Sequence, residues 1–181
     1  GELDAAVSCH KQALKIKPDF AEAHSNLGIV LRDLDQFDEA IKCHKQALEI
    51  KPDYAEAHTN LGIVFHDTGQ LDLAIKSFSQ ALNIKPDYAE VLNNMGIVYR
   101  KLGQLDLAIK SYEQALQLKP NNFKFKWNFS QTQLITNNLK EGWENYEARW
   151  EWDGFSTPQR RFSIPRWSGE SLQGKNILLW A

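Results

Sequence analysis

Long apolar runs are missing from this chain. No stretch approaches the roughly 20 consecutive apolar residues that cross a bilayer, and no secretory leader opens it. An excess of one charge is missing too. Lys and Arg number 21 against 23 Asp and Glu, a formal net charge of -2. Near-neutrality argues against electrostatic binding to nucleic acid or to an anionic membrane. Cysteine is scarce: Cys9 and Cys43 stand 34 residues apart. If that spacing is a structural repeat, their Cα atoms sit about a helix-packing distance apart, about 8–10 Å, beyond the roughly 7 Å a disulfide allows. Two free thiols in a reducing, cytoplasmic compartment are expected. Tryptophan is absent from the first 126 residues. No Ser/His/Asp arrangement, phosphate loop or acid–base pair stands out, so no enzymatic activity and no cofactor are expected of this segment. What remains, at 43% hydrophobic residues, is the composition of a folded, soluble protein.

What is present is a period of 34 residues. Aligning Ala21–Tyr54, Ala55–Tyr88 and Ala89–Asn122 brings Asn26-Leu27-Gly28, Asn60-Leu61-Gly62 and Asn94-Met95-Gly96 into register. Ala40, Ala74 and Ala108 follow, then Ala47, Ala81 and Ala115, then Pro52, Pro86 and Pro120. A unit of this length cannot bury its apolar face alone, and stacked copies form a solenoid with a long curved surface.

Each unit reads as two helices. In the unit from Asp53 to Pro86, Asp53-Tyr54-Ala55-Glu56 has the shape of a capping box, repeated as Asp19…Glu22 and Asp87…Glu90. Ala57, Leu61, Val64 and Phe65 recur at helical spacing, and Gly69 suits the residue after a helix end. A second helix carries Leu71, Ala74, Ile75, Phe78, Ala81, Leu82 and Ile84 and stops at Lys85-Pro86. Gly62 inside the first helix costs about 1 kcal/mol relative to alanine. Its recurrence as Gly28 and Gly96 implies a close approach by the partner helix, expected at Ala74.

The pattern of Leu61, Gly62, Phe65, Ala74, Phe78, Ala81 and Pro86 resembles the tetratricopeptide repeat family, and the match runs to about residue 121. His24, His58 and Leu92 depart from its tryptophan, His10 and His44 from its aromatic, and Asp35 from its turn glycine. The resemblance implies an all-α fold: a solenoid of helix hairpins in a right-handed superhelix, with a degenerate capping repeat and an irregular C-terminal tail. The expected organisation is the second helix of an incomplete repeat at 1–19, full repeats at 20–53, 54–87 and 88–121, a degenerate capping pair at 122–153, and a linker with the first strand of a truncated α/β domain at 154–181. A start at Gly1, inside a repeat, gives the expectation of a fragment. Trp150-Glu151-Trp152 suggests that the last helix runs on.

In this family the first helix of each repeat lines the concave face. Its sixth position holds Asn26, Asn60, Asn94 and Asn128. Side-chain amides offer two donors and an acceptor, which suits the backbone of an extended peptide. Similar asparagines occur in the repeats of eukaryotic O-linked N-acetylglucosamine transferases. The alternative is a structural role, each amide bonding to a neighbouring helix. Flanking files are Glu22, Glu56 and Glu90; Ile29, Ile63 and Ile97; and Arg32, His66 and Arg100. The pairs His10/His44 and His24/His58 lack metal-site spacing and read as replacements for packed aromatics. The lysines Lys17, Lys51, Lys85 and Lys119 complement helix C-termini.

The tail carries a second resemblance. Trp143-x-x-Tyr146-Glu147-x-Arg149-Trp150, Pro165-x-Trp167-x-Gly169 and Gly174-Lys175-x-Ile177-Leu178-Leu179-Trp180 look like the junction to a glycosyltransferase-like domain in bacterial repeat proteins. Three functions follow as expectations: a protein–protein interaction module gripping an extended peptide or partner protein in its groove, the substrate-recognition arm of a larger glycosyltransferase, or a scaffold that self-associates through its C-terminal tail.

Overall fold

The computed structural model describes residues 1–152. The expected linker and strand of the tail, Pro165, Trp167, Gly169 and the Ile177–Trp180 segment included, lie outside the described residues. Among the described residues nine α-helices follow one another: α1 Glu2–Ile16, α2 Ala21–Asp33, α3 Phe37–Ile50, α4 Ala55–Asp67, α5 Leu71–Ile84, α6 Ala89–Lys101, α7 Leu105–Leu118, α8 Phe123–Ile135 and α9 Leu139–Glu147. A 3-10 turn spans Ala148–Glu151. Four hairpins, α2–α3, α4–α5, α6–α7 and α8–α9, stack in series behind α1. The described residues form an all-α helix-hairpin solenoid.

The helices begin one residue later than a capping box requires. Phe20, Tyr54 and Tyr88 are the N-cap residues, without a side-chain cap bond. In the second hairpin the Tyr54 amide closes a turn on the Lys51 carbonyl at 3.2 Å. That turn takes in Asp53 and removes it from the capping position. The side-chain cap seen instead is Asn122, whose oxygen accepts from the Phe125 amide at 3.0 Å. The turns between paired helices use left-handed backbone at Gly69 and Gly103, φ 74° and 72°. Asp35 and Asn137 take the same place at 57° and 62° without glycine's freedom.

Alanine and glycine set the hairpin spacing. Ala40, Ala74 and Ala108 are fully buried. The nearest contact of each glycine lies one helical turn beyond them. A Cβ on Gly28, Gly62 or Gly96 would fall 2.7, 2.6 or 2.7 Å from the rings of His44, Phe78 and Tyr112 respectively. Each ring lies flush against the glycine backbone, and this is the compensation for glycine within a helix. Between hairpins, Phe78, Ala74 and Ala81 pack with Leu61 and Phe65 and with Val91, Met95 and Val98 of the next unit.

His24 and His58 replace packing by hydrogen bonding. Their Nε2–H groups donate to the carbonyls of Pro18 and Pro52, at 2.9 and 3.0 Å, and tie each inner helix to the turn before it. Leu92 holds the third place by burial against Phe125. In the last hairpin the helix does not run on. It tightens into the 3-10 turn, and Trp152 is extended at φ -96° and ψ 116°. The Trp127 and Trp152 rings meet at 5.6 Å, and the Arg149 guanidinium lies 3.9 Å from the Tyr146 ring and 4.4 Å from that of Trp150.

Candidate functional site: the inner wall

Which side of the stack is concave follows from the contacts. α2 touches α4, α4 touches α6 and α6 touches α8, whereas α3, α5, α7 and α9 make no contact with one another. Like helices lie closest on the inside of a curve, so α2, α4, α6 and α8 form the inner wall.

The asparagine file runs along that wall but is not uniform. Asn26 is exposed, and Asn60 and Asn94 are half-buried. Asn128 is only 5% exposed. Its Nδ2 donates to Asn93 Oδ1 at 3.0 Å, one residue before Asn94 on the preceding inner helix. Asn60 reaches back in the same way to the Ser25 hydroxyl, at a long 3.4 Å. Asn93 is itself buried and leans 3.5 Å toward Asn94 Oδ1. Asn128 is thus committed to joining two helices, and the side chains at Ser25, Thr59 and Asn93 form a buried polar file beside the asparagines. The same period marks these residues in the sequence, but burial does not show there. Ile29, Ile63 and Ile97 are half-buried on the wall.

The carboxylates are largely answered by lysines. Lys51 Nζ lies 3.6 Å from Glu22 and 4.8 Å from the Tyr54 ring centre. Lys119 bonds Glu90, across its own hairpin from the end of α7 to the start of α6. Burial works to raise the Glu90 carboxyl, but the Lys119 bond and charge outweigh it and hold the group below its usual range. Lys17 and Lys85 sit over Phe20 and Tyr88 at 5.2 and 4.5 Å. The lysine file therefore ties the two helices of a hairpin together at Lys51 and Lys119, and at Lys17, Lys51 and Lys85 covers the ring that opens the next one, rather than serving helix ends alone. Burial, then the charges of Glu22 and Glu56, raises the Tyr54 hydroxyl; burial with Glu56 and Glu90 does the same for Tyr88.

Arg32 bonds Asp33 at 2.7 Å, and His66 lies 3.1 Å from Asp67. Arg100 has Lys101 in that place. Behind this file stand the rings that press on the glycines. The Tyr112 hydroxyl is pushed up by burial, with Arg100 and Thr132 beside it acting in the opposite direction. His44 is fully buried, neither ring nitrogen has a hydrogen-bond partner, and burial, then the Arg32 charge, lowers its pKa to about 4. Cys9 and Cys43 are free thiols, and burial raises that of Cys43. Among the described residues no group of three His, Cys, Asp or Glu side chains could hold a metal ion. No described helix is long and apolar enough to cross a membrane.

Comparisons with known proteins agree with this architecture. No curated relative matches the chain. Among solved structures it is similar to MamA, with 24% identity and a TM-score of 0.73 over 82% of this chain and 86% of that one. PilF of Pseudomonas aeruginosa gives 20% and 0.75 over 82% and 68%. YrrB, a repeat protein with an unusual peptide-binding site, gives 21% and 0.65 over 81% and 76%. These likenesses concern the fold. Family models described as the tetratricopeptide repeat match residues 19–87 and 53–121, and a further one matches 1–35. With the matches spanning more than half its length and the glycine-on-ring hairpins as their physical counterpart, the chain belongs to the tetratricopeptide repeat family.

Proposed function

We propose that this protein is a protein–protein interaction module that holds an extended peptide segment against its inner wall. The observation that carries this is the strip formed by Asn26, Asn60 and Asn94 with Ile29, Ile63 and Ile97. It places amides and half-covered aliphatic groups side by side, one set per helix, along a concave surface. An extended chain needs both: donors and acceptors for its backbone, and apolar ground for alternate side chains. YrrB, of the same fold, is described as having a peptide-binding site. Glu22 and Glu90, being paired with lysines, serve the scaffold; Glu56 and Arg100 remain for the ligand. Asn128 belongs to the wall's interior.

The test is the double variant Asn26→Ala/Asn94→Ala, which spares the amides seen bridging helices. Affinity for an extended neutral peptide, measured by anisotropy, should weaken by about 1 kcal/mol per lost bond pair, with little change in melting. Unchanged affinity with a lowered melting temperature would show the amides to be structural.

A second reading places the module as the recognition arm of a larger glycosyltransferase. The resemblance of the 143–180 segment supports it. So do the aromatic contacts of the last hairpin, Trp127 with Trp152 and Arg149 over Tyr146 and Trp150, which make a firm seat where the chain leaves it. Extending the protein beyond Ala181 and assaying sugar transfer tests it: a glycine-rich loop and transfer activity are expected, and their absence would overturn it.

A further inference from the structure

The inner wall changes character along its length. In the first two hairpins an aspartate follows the file cation: Asp33 beside Arg32, Asp67 beside His66. In the third, Lys101 stands there, and Arg100 makes no ion pair among the described residues. Its Nε is buried, with the Tyr112 hydroxyl beside the guanidinium. The half-buried guanidinium is answered by no carboxylate, so a charge-assisted bond to an incoming anion is open to it. A second exchange runs in the same direction. The inner helices α2, α4 and α6 carry Glu22, Glu56 and Glu90 in their first turn, whereas α8 carries Lys124. Since Glu90 is bonded to Lys119, the α6–α8 end presents Arg100, Lys101 and Lys124 with no free carboxylate among these wall positions. On α4, Glu56 makes no ion pair among the described residues and is exposed.

Building on the groove reading above, we infer that the groove is directional: it takes an extended peptide whose acidic side chain docks at Arg100 and whose basic side chain lies toward Glu56. The separation follows from helix geometry. Arg100 is one inner helix across from Glu56 and ten residues further along. At about 1.5 Å per residue and about 10 Å between helices, the two charges are roughly 18 Å apart. An extended chain covers that in about five or six residues. A solenoid groove is open at both ends, so internal side chains serve as well as a terminus. The ligand class is a segment with Lys or Arg and Asp or Glu about five residues apart, on a background of small and polar residues.

The test uses fluorescein-labelled ten-residue peptides of Ala, Ser and Gln. One carries Lys at position 3 and Asp at position 8, and a second has the two exchanged, so both chain directions are covered. A third has Lys and Asp adjacent, and a fourth is neutral. One of the first two should bind at least ten-fold more tightly than the adjacent and neutral peptides. Arg100→Gln should bring that ratio close to one, weakening the charged peptide more than the neutral one. Lys101→Asp, an exposed change that restores the residue type of the other two hairpins, should reduce the ratio by pairing with Arg100 as Asp33 pairs with Arg32, and so tests the same point if Arg100→Gln does not fold. Equal binding of all four peptides overturns the directional inference and leaves the groove reading standing, as does an Arg100→Gln that weakens every peptide alike. Failure of all four to bind overturns both.

Discussion

Replacing His44 by phenylalanine should stabilise the protein, and by more at low pH than at high. His44 occupies the place that Phe78 and Tyr112 fill in the next two hairpins, and its ring lies on Gly28. It is fully buried, and both nitrogens lack partners. A buried polar group left unpaired costs about 1–3 kcal/mol, so the variant should gain an amount of that order at pH 7.5. The pH effect adds to this. The folded pKa of about 4 lies below the ordinary 6.5, because burial and then Arg32 disfavour the imidazolium. Between these values the unfolded chain binds a proton that the folded one refuses. The histidine's contribution is therefore undiminished above about pH 6.5 and is lost as the pH falls toward 4. At 1.36 kcal/mol per pH unit the loss amounts to about 3 kcal/mol. Urea denaturation of wild type and His44→Phe at pH 7.5, 6.0, 5.0 and 4.5 measures the gap between them, and carboxylates common to both proteins cancel in the difference. The gap should widen steadily below pH 6.5. Since repeat proteins can unfold unit by unit, amide exchange in α2 and α3 should report the same widening locally. A gap that stays constant with pH would refute the reasoning, because it would mean that His44 is protonated or hydrated in the folded state.

Two further predictions concern the scaffold. Gly62→Ala places a methyl 2.6 Å from Phe78 Cε1. The overpacking, about 1–3 kcal/mol, should exceed the roughly 1 kcal/mol gained in helix propensity, and Phe78→Leu should recover part of the loss; a higher urea midpoint for Gly62→Ala alone would contradict this. Asp35→Gly, at φ 57°, should raise stability by about 0.5–1 kcal/mol by removing left-handed strain at the one hairpin turn among α2–α3, α4–α5 and α6–α7 that lacks glycine; an unchanged or lower midpoint would count against it.

The repeat was legible because one spacing fixes everything that depends on a residue and its own helix. Alternation of apolar positions placed α2 to α7, and the buried alanines fell where small residues were expected. What depends on a neighbouring hairpin was not legible. Asp53 reads as a cap in the one-dimensional pattern, yet the turn closed by Tyr54 takes it out of position. Gly62 signals a close approach, but the partner, Phe78, lies one turn beyond Ala74, and only the crossing of two helices decides between them. Asn26, Asn60, Asn94 and Asn128 look equivalent in sequence. Asn128 is buried because Asn93, where Ser25 and Thr59 stand in earlier units, is long enough to meet it. Lys119 and Glu90 are 29 residues apart, a separation that means nothing until α7 folds back on α6.

The absence of contact between α3, α5 and α7 has a mechanical consequence. Each outer helix packs on its own inner partner and on the next inner helix, α3 on α4, α5 on α6 and α7 on α8, but not on the next outer helix. Small rotations at each seam therefore change the spacing of the outer helices without uncovering the glycine-on-ring packing inside a hairpin. Such rotations add up along the stack, so a pull on its two ends would lengthen the protein as a spring lengthens, well before any hairpin came apart.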